Sequence, residues 1–147
     1  MLHLQPITKD NWMKAISLRV REDQVNFVAS NAVSLAQLNF LENFYAKGIY
    51  AGEEMVGFTL YGNDEDDHEY WMYRMMIDQQ HQGKGYGKEA IQLVIDDVRK
   101  MKEDRHQTLT LSYEPENVHA KRIYEKMGFQ EVDGFIIDGE QVARYTF

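Results

Sequence analysis

Three glycines in six residues, Gln82-Gly83-Lys84-Gly85-Tyr86-Gly87, stand between an apolar run that ends at Ile77 and an amphipathic pattern that continues to about Lys102. No regular strand or helix runs comfortably through such a segment, because each glycine costs a regular element up to ~1 kcal/mol of backbone freedom. The spacing therefore predicts a strand, a tight loop and a helix in that order. The same glycines leave backbone N–H groups uncovered where the helix presents its positive dipole end, so several can converge on one anion. The segment predicts a seat for a pyrophosphate.

What the loop lacks narrows the ligand. A Walker loop ends Gly-Lys-Ser/Thr, whereas Lys88 is followed by Glu89, so no hydroxyl is available for magnesium and ATP or GTP is disfavoured. A dinucleotide fingerprint needs glycine three residues after Gly85, and that residue is Lys88, which disfavours NAD. What remains is Gln-x-x-Gly-x-Gly. A second segment, Asn117-Val118-His119-Ala120-Lys121-Arg122-Ile123-Tyr124-Glu125-Lys126-Met127-Gly128-Phe129, reads as a helix in its own right. Asn117 suits the N-cap, Ala120, Ile123, Tyr124 and Met127 share a stripe, and Gly128 suits a left-handed stop. These two segments resemble the acyl-CoA loop and the Asn-x-x-Ala-x-x-x-Tyr-x-x-x-Gly-Phe signature of the GCN5-related N-acetyltransferase (GNAT) family, in the family's order.

A chain of 147 residues fits one domain. At 44% hydrophobic residues it has the means to build a core and lies outside the disordered range. The absence of cysteine excludes disulfides, thiolate metal sites and a thiol nucleophile. His68, His81, His106 and His119 lack metal-site spacing, so no metal is expected. A formal charge of -8 disfavours nucleic acid and anionic membranes as partners and favours a cation. The N-terminal residues lack a basic, apolar leader pattern, and the expectation is a cytoplasmic protein.

Periodicity predicts a strand over Leu2 to Ile7, a helix from Thr8–Asp10 through about Arg21 that buries Trp12, Ala15, Ile16 and Leu18 to Val20, and a second helix from about Ser34 to Tyr45. A hairpin follows, Ile49 to Ala51 and Met55 to Tyr61 around Gly52–Glu54, then a polar tip at Gly62 to Asp67 and a strand from about Glu69 to Ile77. The helix after the glycine loop buries Ala90, Ile91, Val94, Val98 and Met101. A strand over Thr108 to Tyr113, the Asn117 helix, and a hairpin of Phe129 to Ile137 with Gln141 to Phe147 around Asp138-Gly139 complete the chain.

This order of seven strands and four helices is that of the family. The resemblance implies an α+β fold whose mixed, strongly twisted sheet splays between the fourth and fifth strands. A splay opens unpaired backbone groups to the pantetheine amides of acetyl-CoA, with Met75, Met76 and Ile77 as the contacts. The N–H groups of Gly83, Gly85, Gly87 and Lys88, with Tyr86 among them, face the pyrophosphate, and Gln82, Lys84 and Asn117 are expected to add side-chain contacts. Gln82 stands where the family more often has arginine. Dimers are common in the family, and a homodimer is allowed.

With no cysteine to carry an acyl group, direct attack by an amine in a ternary complex is the simpler mechanism. The departing thiolate has a basicity near that of free cysteine, ~8.5, so a phenol near 10 suits it as hydrogen-bond donor or acid. Tyr124 is assigned that role. An amine of pKa ~10 is about 99.9% protonated at pH 7, and supplying its free base costs about 4 kcal/mol. Glu69, Glu114, and Glu22 or Asp23 are the candidate carboxylates for that task. Polyamine-acetylating relatives often carry an acid where this chain has Tyr73, which favours a relay through water.

The overall pattern is most similar to the small bacterial spermine/spermidine acetyltransferases. The acidic run Asp64-Glu65-Asp66-Asp67 with Glu69 would attract a polycation, and Trp71 and Tyr73 would pack on its methylenes. A protein N-terminus, a lysine or another small amine is the alternative acceptor, and a non-catalytic acyl-CoA sensor lies outside the enzyme class.

Overall fold

A computed structural model describes residues Met1–Phe147. Its elements are β1 (Leu2–Pro6), α1 (Trp12–Ser17), α2 (Asn31–Leu38), β2 (Phe44–Ala51), β3 (Glu54–Asn63), β4 (Tyr70–Ile77), α3 (Tyr86–Met101), β5 (Thr108–Tyr113), α4 (Val118–Lys126), β6 (Gln130–Ile137) and β7 (Glu140–Thr146). Single 3-10 turns cover Glu22–Gln24 and Gln79–His81. All seven strands join one sheet in the order β1-β2-β3-β4-β5-β7-β6. Every pairing is antiparallel except β4 with β5.

The helices flank the sheet on both sides, as their apolar stripes require. Ile91, Val94, Ile95 and Val98 of α3 pack on Tyr61, Met72, Leu109 and Leu111, and α4 adds Ala120, Ile123 and Tyr124 to that core. On the opposite face Ala15 and Leu18 pack with Phe58, Leu60 and Met76, covered by Leu35 and Leu38 of α2.

Two helical expectations need correction. The first helix ends at Ser17, not near Arg21, because Leu18 turns to an extended backbone and the following residues bond to the end of β4. Trp12 lies 44% exposed and Arg19 is exposed as well, so neither belongs to the buried side. The second helix starts earlier, with Ser30 as its N-cap bonded to the Val33 N–H, and stops at Leu38. Tyr45, placed in that helix by its spacing, belongs instead to β2, where it pairs with Tyr61. Asn43 takes a left-handed φ of 58° just before, so the chain reverses into a strand whose eight residues find partners on β3. Long-range pairing outweighs a local helical period here.

The expected splay is present, and it has a local cause. β4 and β5 pair only at Tyr70 with Leu109 and Trp71 with Thr110. Immediately beyond, the β3–β4 register shifts: Tyr61 opposes Met72 while Leu60 opposes Arg74, leaving Tyr73 as the extra residue of a bulge. A bulge bends its strand and increases its twist. From there to Ile77, β4 stays bonded to β3, while β5 stays bonded to β7 as far as Tyr113.

Candidate active site

A groove of about 510 Å³ opens at this parting. Met75, Met76 and Ile77 form one wall, the glycine loop and the start of α3 the floor, and α4 the other wall. Gly83 and Gly85 take φ of 81° and 80°, and Gly85 is the N-cap of α3. A Cβ at either would meet nothing within 4 Å, so glycine serves the backbone turn and leaves the approach to the N–H groups open. No backbone bond uses the N–H groups of Gly83 to Lys88, and the sixteen-residue α3 adds its dipole at the same point.

Of the residues read as cofactor contacts, Met75, Met76, Ile77, Gln82, Gly83, Gly85, Tyr86, Gly87, Lys88, Asn117 and Tyr124 all line the groove. Lys84 does not: its ammonium lies 5.8 Å from the Tyr86 ring centroid. Gln82 is committed elsewhere than expected. Its side-chain amide donates to the Ile77 carbonyl and to Gln24 Oε1, both at 3.0 Å. Asn117 acts as the α4 cap, its Oδ1 accepting from the Ala120 N–H at 3.2 Å.

The groove also takes in residues that were not read as cofactor contacts. Val20, Arg21, Gln24 and Val28 close it from the segment between α1 and α2, and His119, Arg122 and Lys126 line it from α4. Arg21, Lys88, Arg122 and Lys126 are cationic, and no aspartate or glutamate is among the lining residues. In a chain of net charge -8 this separation is marked. Its chemistry fits a phosphorylated ligand. The signal was present as the Lys121-Arg122 and Lys126 positions of α4, but a helical wheel alone does not show which basic face meets a groove.

Tyr124 is half-buried and lines the groove. Its ring stacks on Tyr113 at 5.9 Å and meets the Phe129 ring edge-on at 5.6 Å. Burial alone pushes its phenol up to about 12, so it remains a proton donor at any ordinary pH. Tyr113 donates to Glu131 at 2.5 Å, and Lys121 lies 3.7 Å from the other oxygen of that carboxylate. Burial and the Glu131 bond hold the Tyr113 phenol well above its ordinary value.

The residues read as acceptor contacts lie outside the groove. Glu22 borders an adjoining cavity of about 220 Å³ that shares Val20, Val28 and Met76 with it, while Asp23 is 3.3 Å from Arg21. Trp71 donates to Asp67 at 2.8 Å, and Tyr73 donates to Asp64 while packing on Phe44 at 4.5 Å. Burial first, then the Asp64 bond, raises the Tyr73 phenol far above its usual value. Glu69 precedes β4 rather than opening it, and its Oε2 is buried without a partner. Glu114 follows β5 directly.

The parted strands, the open amides of the glycine loop and the phenol lining the same groove fit an acyltransferase, the class the two motifs imply. Comparison with known proteins agrees. The chain belongs to the acetyltransferase (GNAT) family, whose model matches residues 12–129. It is 29% identical to the spermine/spermidine N(1)-acetyltransferase of Bacillus subtilis, with 96% of this chain and 95% of that protein covered. Among solved structures, the aminoglycoside acetyltransferase AAC(6')-Ib in complex with coenzyme A and kanamycin superposes with a TM-score of 0.81 at 16% identity, covering 99% of this chain and 95% of that one. The spermidine N-acetyltransferase from Vibrio cholerae, in complex with CoA and spermine, gives 0.71 at 18% identity, covering 99% and 94%.

Proposed function

We propose that this enzyme transfers the acetyl group of acetyl-CoA to a primary amine of a polyamine such as spermine or spermidine. The observation that carries the cofactor half is the carboxylate-free, cationic groove running from the open amides of the glycine loop to Tyr124. The acceptor half rests on charge. The acids lie away from that groove, on the β3–β4 tip, where Asp64 to Asp67 and Glu69 set up a field for a cation. The Bacillus relative's likeness along nearly the whole chain supports the same acceptor.

In this reading the diphosphate rests on the N–H groups of Gly83 to Lys88, and the thioester arm runs between β4 and β5 along the Met75–Ile77 backbone. The acceptor's free amine forms a bond to the thioester carbonyl carbon. As the C–N bond is completed the C–S bond breaks, the electron pair leaves with sulfur, and Tyr124 donates its hydrogen bond or proton to the thiolate. The ammonium proton leaves through water towards the acids of the tip, Tyr73 standing where an acid would otherwise act directly. The raised phenol suits Tyr124 to hydrogen-bond donation more than to full proton transfer, which would be uphill to a thiolate of basicity ~8.5.

The test is CoA release across spermine, spermidine, diamines and peptide amines, with initial rates varied in both substrates. Polyamines should give the highest kcat/KM and intersecting double-reciprocal lines. A preference for peptide amines overturns the acceptor, parallel lines overturn direct transfer, and acetyl-CoA binding without any turnover leaves only a sensor.

A further inference from the structure

The loop that holds the diphosphate carries Gln82 where a positive charge would be useful, and both protons of its amide are used within the chain. One of them reaches across 58 positions of sequence to Gln24 Oε1. That oxygen also accepts the Arg21 N–H at 3.3 Å, closing the 3-10 turn Glu22–Gln24 from both ends. Two further bonds stitch the same segment to the end of β4: the Arg19 N–H to Asp78 Oδ1 at 2.9 Å, and the Gln79 N–H to the Arg19 carbonyl at 2.7 Å. The outcome is that Arg21 lines the same groove as Arg122 and Lys126, on a segment tied to the end of β4.

The geometry points to Arg21 as a phosphate-binding residue for the acyl-CoA cosubstrate, with Gln82 acting as a strut that holds it, through Gln24, rather than as a phosphate ligand itself. This rests on the acetyl-CoA reading above. The single carboxylate near the guanidinium, Asp23, forms an exposed pair with it, both side chains being more than half accessible. Such a pair contributes little and yields readily to a diphosphate, which offers a planar guanidinium two or more acceptors. The charge absent from position 82 is thus supplied by a segment far away in sequence that Gln82 itself holds in place.

Calorimetric titration of the full chain with CoA, at several salt concentrations, tests the assignment. Arg21→Ala should raise Kd about tenfold, the usual worth of a charge-assisted hydrogen bond, and should flatten the dependence of Kd on salt; Arg21→Lys should recover part of both. Gln82→Met should weaken binding in the parent but add little in the Arg21→Ala background. A wild-type chain that fails to bind CoA removes the cofactor reading itself. Wild-type binding with an unaltered Kd and salt slope in Arg21→Ala removes Arg21. Additive losses for the two substitutions make Gln82 an independent ligand and remove the strut. Melting curves of each variant, expected to lie close to the parent's, separate these outcomes from unfolding; an Arg21→Ala loss explained by a lowered melting point also removes the assignment.

Discussion

The rings of Tyr113 and Tyr124 stack at 5.9 Å with an interplanar angle of 26°, joining the last residue of β5 to the last turn of α4. One residue is buried in the core and the other borders the groove, so the stack aims the phenol from a fixed platform. Replacing Tyr113 with leucine removes a contact of about 0.5–1.5 kcal/mol and leaves Tyr124 free to tilt. The expected result is a kcat lowered severalfold with little change in CoA affinity. Tyr113→Phe keeps the ring and should retain most of the turnover. Steady-state kinetics beside a CoA titration read the difference.

Tyr124→Phe should lower kcat by about two orders of magnitude, the range for loss of a positioned proton donor, with CoA binding nearly intact. An unchanged kcat removes Tyr124 from the mechanism.

The pH dependence follows from the same residue. Its phenol stands at about 12 in the folded chain, above the ~10 of an exposed tyrosine. Below that range Tyr124 stays protonated, so kcat/KM should climb with pH as the acceptor amine loses its proton, with no falling limb from this group. For stability the unfolded chain ionises first. The contribution of Tyr124 is complete below about pH 10 and is lost as pH rises towards about 12, on the order of 2 kcal/mol after allowing for its partial exposure. Alkaline melting points of the parent should fall away from those of Tyr124→Phe across that window, since only the parent must bury a phenolate.

Neutralising the outermost acids of the tip by Glu65→Gln and Asp66→Asn together should raise the KM for spermine a fewfold at low salt, without a change in kcat. Both residues are exposed, so the effect should fade at high ionic strength. Persistence of the full effect in high salt would mean direct contact in place of a long-range field.

At Gly57 a Cβ would come within 2.5 Å of the Met76 carbonyl oxygen and 2.9 Å of Ile77 Cδ1. The obstacle is backbone on the strand that forms the groove wall. Gly57→Ala should therefore destabilise the fold by about 1–3 kcal/mol and weaken CoA binding as β4 is displaced. Chemical denaturation and a CoA titration check the two effects.

Local chemistry was enough for the loop, the α4 segment and most strands. Glycines at 83 and 85, the Asn117 cap and the Thr108–Tyr113 alternation each depend on neighbours within a turn or a pleat, and the structure has them where the residues place them. The same holds for the buried stripe of α3, since a period of 3.6 declares its own apolar face; only Met101, half-buried, falls short of the expectation, while the α4 stripe is half-buried throughout. Tertiary structure decided the rest. Tyr45 sits in a strand because β3 offers it a partner, and the splay begins at the Tyr73 bulge, which exists only as a mismatch of register between two strands. Arg21 and Gln24 reach the groove through bonds to residues nearly sixty positions away. A periodicity reports how one segment divides between core and solvent; which segments then meet, and which charges face one cavity, depends on pairing across the chain that no single window of sequence contains.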